Sequence, residues 1–67
     1  MMREWLISIR KMKGMSQKAA AEAAGVSQPT YWEYEHGIST PTPAIAKRIG
    51  AALGFDWTLF YEDAHTA

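Results

Sequence analysis

Residues 16–37 read SQKAAAEAAGVSQPTYWEYEHG, and the fold turns on how this stretch divides. Ser16 is a good N-cap, with a hydroxyl able to accept from the unpaired N–H groups of a first helical turn. Gln17–Ala24 then carries five alanines in eight residues, small side chains that let a helix pack very close to a neighbour. Gly25 can end that helix in the left-handed conformation, which other residues reach only at a cost. Val26 is apolar and can plug the angle between two helices. Ser27 caps the second helix, Pro29 is tolerated in its first turn, and His36-Gly37 closes it. Two short helices joined by Gly25-Val26-Ser27 are held at ~90–120°, a helix-turn-helix. Its second helix leaves Gln28, Pro29 and Thr30 projecting from a positive end, suited to phosphate contact and to reaching base edges.

Outward from this centre, the same punctuation repeats. Before it, Met2, Leu6 and Ile9 lie one helical turn apart, flanked by Trp5 and Met12, and Arg10-Lys11-Met12-Lys13-Gly14 places cations on a last turn before a C′ glycine. After it, Thr42 caps a fourth helix with Pro43 at its first position and Ile45, Ile49, Ala52 and Leu53 on one side before Gly54. A fifth helix of a turn or two follows Asp56 and holds Trp57, Leu59, Phe60 and Tyr61. No segment alternates with period two, so no strand is needed. The expectation is an all-α, compact five-helix single domain over residues 1–67, with a central helix-turn-helix at about 16–37 and a tail, 63–67, that frays. Tyr31, Tyr34 and Ile38 repeat at helical spacing and read as core.

Composition narrows the function classes. The chain has 67 residues, 48% apolar, which suits one globular domain and leaves no room for a second. It has no cysteine, so disulfides, thiolate zinc sites and a cysteine nucleophile are all excluded, in keeping with a soluble protein of a reducing cytoplasm. No apolar run reaches the ~20 residues that span a bilayer. Net charge is zero but unevenly spread: residues 1–27 hold Arg3, Arg10, Lys11, Lys13 and Lys18 against Glu4 and Glu22, while residues 28–67 hold Lys47 and Arg48 against Glu33, Glu35, Asp56, Glu62 and Asp63. Basic groups near the ends of the first two helices can face phosphates, or form a solvated face.

The chain resembles the lambda-repressor-like helix-turn-helix family, the Cro/cI or xenobiotic-response-element type of bacterial and phage regulators. The resemblance runs from residues 6–10 through Gly14-Met15-Ser16-Gln17, Gly25-Val26-Ser27, Glu35-His36-Gly37 and Pro41 to Ile49-Gly50-Ala51-Ala52-Leu53-Gly54, with correct spacing between all of these blocks. It implies a sequence-specific DNA-binding transcriptional regulator, a repressor occupying a near-palindromic operator as a homodimer, with the 27–36 helix in the major groove. It also implies that Gln17 touches phosphate and supports the first recognition-helix residue. Gln28, Pro29, Thr30 and Glu33 take the outward positions, with Trp32 beside them, and Arg10 and Glu35 form a mostly buried ion pair. Residues 38–42 resemble a second phosphate-contacting edge. Departures are Ala20 where the family carries leucine, so that the core is thinner or filled by methionines, and an unusually aromatic third helix with an acidic Glu33.

The DNA-contact set expected from the residues and this resemblance is Gln17, Lys18, Ser27, Gln28, Pro29, Thr30, Trp32, Glu33 and Thr40. Gln28 has the strongest case, since a glutamine can bridge adenine N6 and N7. Glu33 can accept from cytosine N4 but sits badly near phosphates unless paired, and Trp32 can pack on a thymine methyl or a sugar, cover the core edge, or sit in a partner interface. Phe55, Trp57 and Tyr61, in a segment too aromatic for a small monomer to bury completely, are the expected dimer contacts, against the alternative that Leu59 and Phe60 merely complete the core. The Glu-x-x-His pairs Glu33/His36 and Glu62/His65 read as chance rather than metal sites, and no nucleophile constellation or phosphate loop is present. No enzyme, cofactor, metal, membrane or small-molecule ligand is expected. The competing reading is a protein-interaction module, antitoxin-like, that keeps the fold with weak or lost DNA binding.

Overall fold

The computed structural model describes residues 2–65, with side chains described for residues 2–62. Five helices follow one another: α1 (Glu4–Met12), α2 (Gln17–Ala24), α3 (Gln28–Glu35), α4 (Pro43–Leu53) and α5 (Leu59–His65). No strand occurs among the described residues, so the all-α architecture and its central helix-turn-helix stand as expected. The caps are where the sequence places them. Ser16 Oγ accepts from the Ala19 N–H at 3.0 Å, Ser27 Oγ from Thr30 N–H at 3.3 Å, and Thr42 Oγ1 from Ile45 N–H at 3.5 Å. Helix α5 runs on into the stretch expected to fray, and residues 66–67 lie outside the described ones.

Between α2 and α3 the turn depends on Gly25, at φ +75°, whose N–H closes onto Glu22 O. A Cβ there would be strained and would also stand 2.9 Å from Arg48 Nη1, a flexible tip that can move away. Gly25→Ala is therefore expected to cost about 1–2 kcal/mol, from the backbone rather than from the clash, measurable as a lowered urea midpoint at unchanged slope.

Helix α2 packs on both α3 and α4, and its alanines 20, 21 and 24 are all buried there. The α4 face that meets them is Ala46, Ile49, Gly50 and Leu53, rotated slightly from the expected stripe, with Ile45 and Ala52 half-buried. Gly50 is a site of close approach: a Cβ would lie 2.7 Å from the carbonyl oxygen of Phe55, so its absence lets the chain after α4 fold back across the helix.

The bulkiest side chains of the core are aromatic rings, not methionines. Met2 and Met12 are exposed and Met15 only edges the core, whereas Tyr31 and Phe60 are its largest fully buried side chains. Trp5, Phe55 and Phe60 form an edge-to-face cluster with centroids 5.2–5.7 Å apart, joining α1 to the segment around α5. Two sequence expectations are corrected. Met2 precedes α1 and is not part of its inner face. Ile38 is 64% exposed rather than core, because α3 ends at Glu35 and the backbone turns at residues 36–37, so the helical spacing from Tyr31 and Tyr34 no longer applies.

Candidate nucleic-acid interface

The capped N-terminus of α3 and the start of α2 form one surface. Gln28, Pro29 and Trp32 are exposed on it, Thr30, Glu33 and Gln17 half-buried, and Lys18 exposed beside them. Gln17, Gln28, Pro29, Trp32 and Glu33 together line an open cavity of about 440 Å³. The Ser27 hydroxyl is engaged locally: it accepts the Thr30 N–H and donates to Thr30 Oγ1 at 2.9 Å, so its role is first that of a cap.

Behind this surface lies a polar network linking α1, α2 and α3. The Glu35 carboxylate, 1% exposed, accepts from Arg10 Nε on one oxygen and from Arg10 Nη2 (3.4 Å) and Gln17 Nε2 (3.0 Å) on the other. Arg10 Nη1 also donates to the Met15 carbonyl at 2.9 Å, tying the α1–α2 loop to the same guanidinium. Burial opposes the charge on Glu35, but the Arg10 and Gln17 donors, the nearby Tyr31 hydroxyl and the Arg10 charge outweigh it and hold the carboxyl below its ordinary 4.5. Burial first, and then the proximity of Glu35, push the Tyr31 phenol well above its ordinary 10. That hydroxyl is buried without an aligned hydrogen-bond partner. The Arg10–Glu35 pair implied by the resemblance is thus present, and it does more than join two helices: through Gln17 it fixes the end of α2 against α3.

The exposed residues of α3 are also braced. Trp32 stacks on His36 one turn later, ring centroids 3.8 Å apart at 26°. Glu33 accepts from Ser39 Oγ at 3.4 Å, which turns its carboxylate toward the following loop. His36 is therefore engaged with Trp32, and among the described residues no group of three or more acidic or histidine side chains gathers as a metal site. His65, of the second Glu-x-x-His pair, lies outside the described side chains.

Arg3 is the residue that sequence reasoning missed. It counts in the sequence only as part of the N-terminal basic surplus but is 6% exposed. Its guanidinium donates to Tyr34 O (2.7 Å), Ser39 O (2.9 Å) and Thr40 Oγ1 (2.8 Å), and its backbone N–H donates to Glu35 O (2.7 Å). Thr40, expected to face phosphate, spends its oxygen on Arg3, leaving its O–H as donor. With Arg3 buried and Arg10 paired, the N-terminal basic surplus shrinks to Lys11, Lys13 and Lys18 against Glu4 and Glu22.

Phe55, Trp57 and Tyr61 are half-buried and largely occupied within the chain. Phe55 packs on Trp5 and Phe60, Trp57 on Tyr61 with Lys47 Nζ 5.1 Å from its ring, and Tyr61 Oη donates to Pro41 O at 2.9 Å. The large apolar side chains left exposed among the described residues are Met2, Met12, Trp32 and Ile38, none of them in this segment.

A helix-turn-helix whose second helix presents a capped, exposed N-terminal half, seated on an arginine–glutamate pair, defines the class. The family described as helix-turn-helix matches residues 6–60, and the chain belongs to it, with the Cro/cI-like arrangement. It is 44% identical over 63 residues to the uncharacterized HTH-type transcriptional regulator YqaF of Bacillus subtilis (strain 168), an alignment covering 94% of this chain and 83% of that protein. No helix among the described residues is long and apolar enough to cross a membrane.

Proposed function

We propose that the protein is a sequence-specific DNA-binding transcriptional regulator that represses by occupying a near-palindromic operator as a dimer, with α3 in the major groove. Family membership supports the coarser part, a DNA-binding regulator. The observation that carries the finer reading is the bracing of α3: Gln28, Pro29 and Trp32 stand outward while Glu35, one turn further on, is anchored by Arg10 and Gln17. Affinity then comes from phosphate contacts by Lys18, the Gln17 side chain and the Thr40 hydroxyl, and specificity from Gln28 against a base edge. The dimer would place two α3 helices one DNA turn apart, ~34 Å. Phe55, Trp57 and Tyr61 offer only their outer edges to such a contact, which suits dimerisation that is weak off DNA.

Selection of bound duplexes from a randomised pool tests this reading. An enriched inverted repeat with half-site centres ~10 bp apart supports regulator and dimer together. Gln28→Ala is then expected to weaken the selected duplex by roughly ten- to a hundredfold and to relax preference at one position per half-site, the loss of one bidentate base contact. A second reading, a protein-interaction module, draws on the exposed Trp32 and the acidic Glu33. Undetectable binding at low salt would favour it, since phosphate neutralisation makes affinity fall with log slope ~0.9 per contact.

A further inference from the structure

Thr40 is an exposed residue whose neighbours on both sides are held. Before it, the Ser39 carbonyl accepts from Arg3 Nη1 at 2.9 Å, and the Ser39 hydroxyl donates to Glu33 at 3.4 Å. After it, Pro41 is fully buried and its carbonyl accepts from Tyr61 Oη at 2.9 Å. The two outer clamps meet at α5, where the Arg3 guanidinium lies 5.5 Å from the ring centroid of Phe60, the residue before Tyr61. Residues 39–41 are thus tied to the segment before α1, to α3 and to α5.

Arg3 also decides what Thr40 can bind. A guanidinium only donates, so Thr40 Oγ1 accepts from Arg3 Nη2 at 2.8 Å and its proton is left for a further acceptor. A hydroxyl on a segment already held needs little ordering when it binds. On duplex DNA the ionised phosphate oxygen is the acceptor that makes the strongest bond with it. Resting on the DNA-binding reading above, we propose that Arg3 and Tyr61 are positioning residues for a backbone-phosphate contact. They hold residues 39–41 so that the Thr40 hydroxyl donates to one phosphate per half-site, and they act through Thr40 rather than on the DNA. Backbone grip then depends on residues near both ends of the chain, remote in sequence from α3.

The test replaces the phosphates of the selected operator one at a time by uncharged methylphosphonate, with the affinity of the intact protein read by fluorescence anisotropy. In the parent, each contacted phosphate shows as a position of loss. Thr40→Val keeps the shape without the hydroxyl and should remove an extra loss of about tenfold at one phosphate per half-site. Tyr61→Phe deletes only the Oη donor and keeps the ring packed on Trp57. It should shrink the loss at that same phosphate to about threefold and leave the other positions as in the parent. Arg3→Ala should do the same wherever it is folded, and where it is not, Tyr61→Phe decides. A merely structural role, or a weakened dimer, lowers affinity for every duplex alike. Such uniform weakening, or a full loss that persists in both positioning variants, overturns the proposal and leaves the DNA reading intact. So does a Thr40→Val variant that keeps every phosphate loss of the parent, because Thr40 then contacts none. Failure of the parent to bind any duplex overturns both.

Discussion

Glu35→Ala is expected to cost about 3–5 kcal/mol, because it removes one member of a buried ion pair and leaves the other behind. For a chain of 67 residues the total stability is of order 3–10 kcal/mol, so this substitution alone removes a large share of it. Glu35 accepts from three donor nitrogens on two other elements, and without it the Arg10 guanidinium keeps only the Met15 carbonyl while Gln17 loses its anchor. Glu35→Gln, which keeps an acceptor oxygen but no charge, should recover part of the loss. The pH dependence follows from the sign of the shift. The folded carboxyl binds its proton at lower pH than the unfolded one, so the contribution is complete above 4.5 and is lost as acid drives the pH down through the folded value. Melting temperature should fall in that acid window for the parent and fall less steeply for Glu35→Gln. A parent and variant with parallel acid limbs would show that Glu35 is not the group responsible.

The elements α2, α3 and α4 were legible because their starts are written in local chemistry. Ser16, Ser27 and Thr42 cap the helices predicted from them, and Gly25 takes the left-handed turn its position demands. What the sequence hid is long-range. Arg3 lies 31 to 37 residues from the groups it binds, and no local pattern distinguishes an arginine that folds inward from one that stays in water. Ile38 was misplaced because periodicity was continued through a turn that breaks it, and the methionines because side-chain volume says nothing about direction. Aromatic richness at residues 55–61 points to an interface, and the inward part of it, Phe55 and Phe60, packs on itself and on Trp5 within the chain. For the site, the Arg10–Glu35 pair came from family resemblance, whereas the Gln17 link to it and the Trp32–His36 stack became visible only with the helices in place.

Arg3→Ala is expected to destabilise the protein by about 2–4 kcal/mol, comparable to losing Glu35, although nothing in the sequence marks it out. Three guanidinium hydrogen bonds disappear together, and the buried Tyr34 carbonyl loses its side-chain donor. The cation also lies 5.5 Å from the Phe60 ring centroid, so its removal weakens packing at the core as well as the clamp on residues 34–40. The backbone bond from Arg3 to Glu35 O survives the substitution, so α1 should stay docked while the loop after α3 loosens. Hydrogen exchange should therefore show lost protection first at the Gly37 and Ile38 amides, which donate to Tyr34 O and Glu33 O, before the global transition. Arg3→Lys should restore little, since one ammonium cannot hold three divergent acceptors as a planar fork does. The DNA data separate this clamp from a surface cation. Where the fold persists, the salt slope of binding should stay unchanged in Arg3→Ala, but fall by ~0.9 in a variant that truly loses a phosphate contact, as expected for Lys18→Ala. A reduced slope without destabilisation would place Arg3 on the DNA-facing side and rule out the clamp.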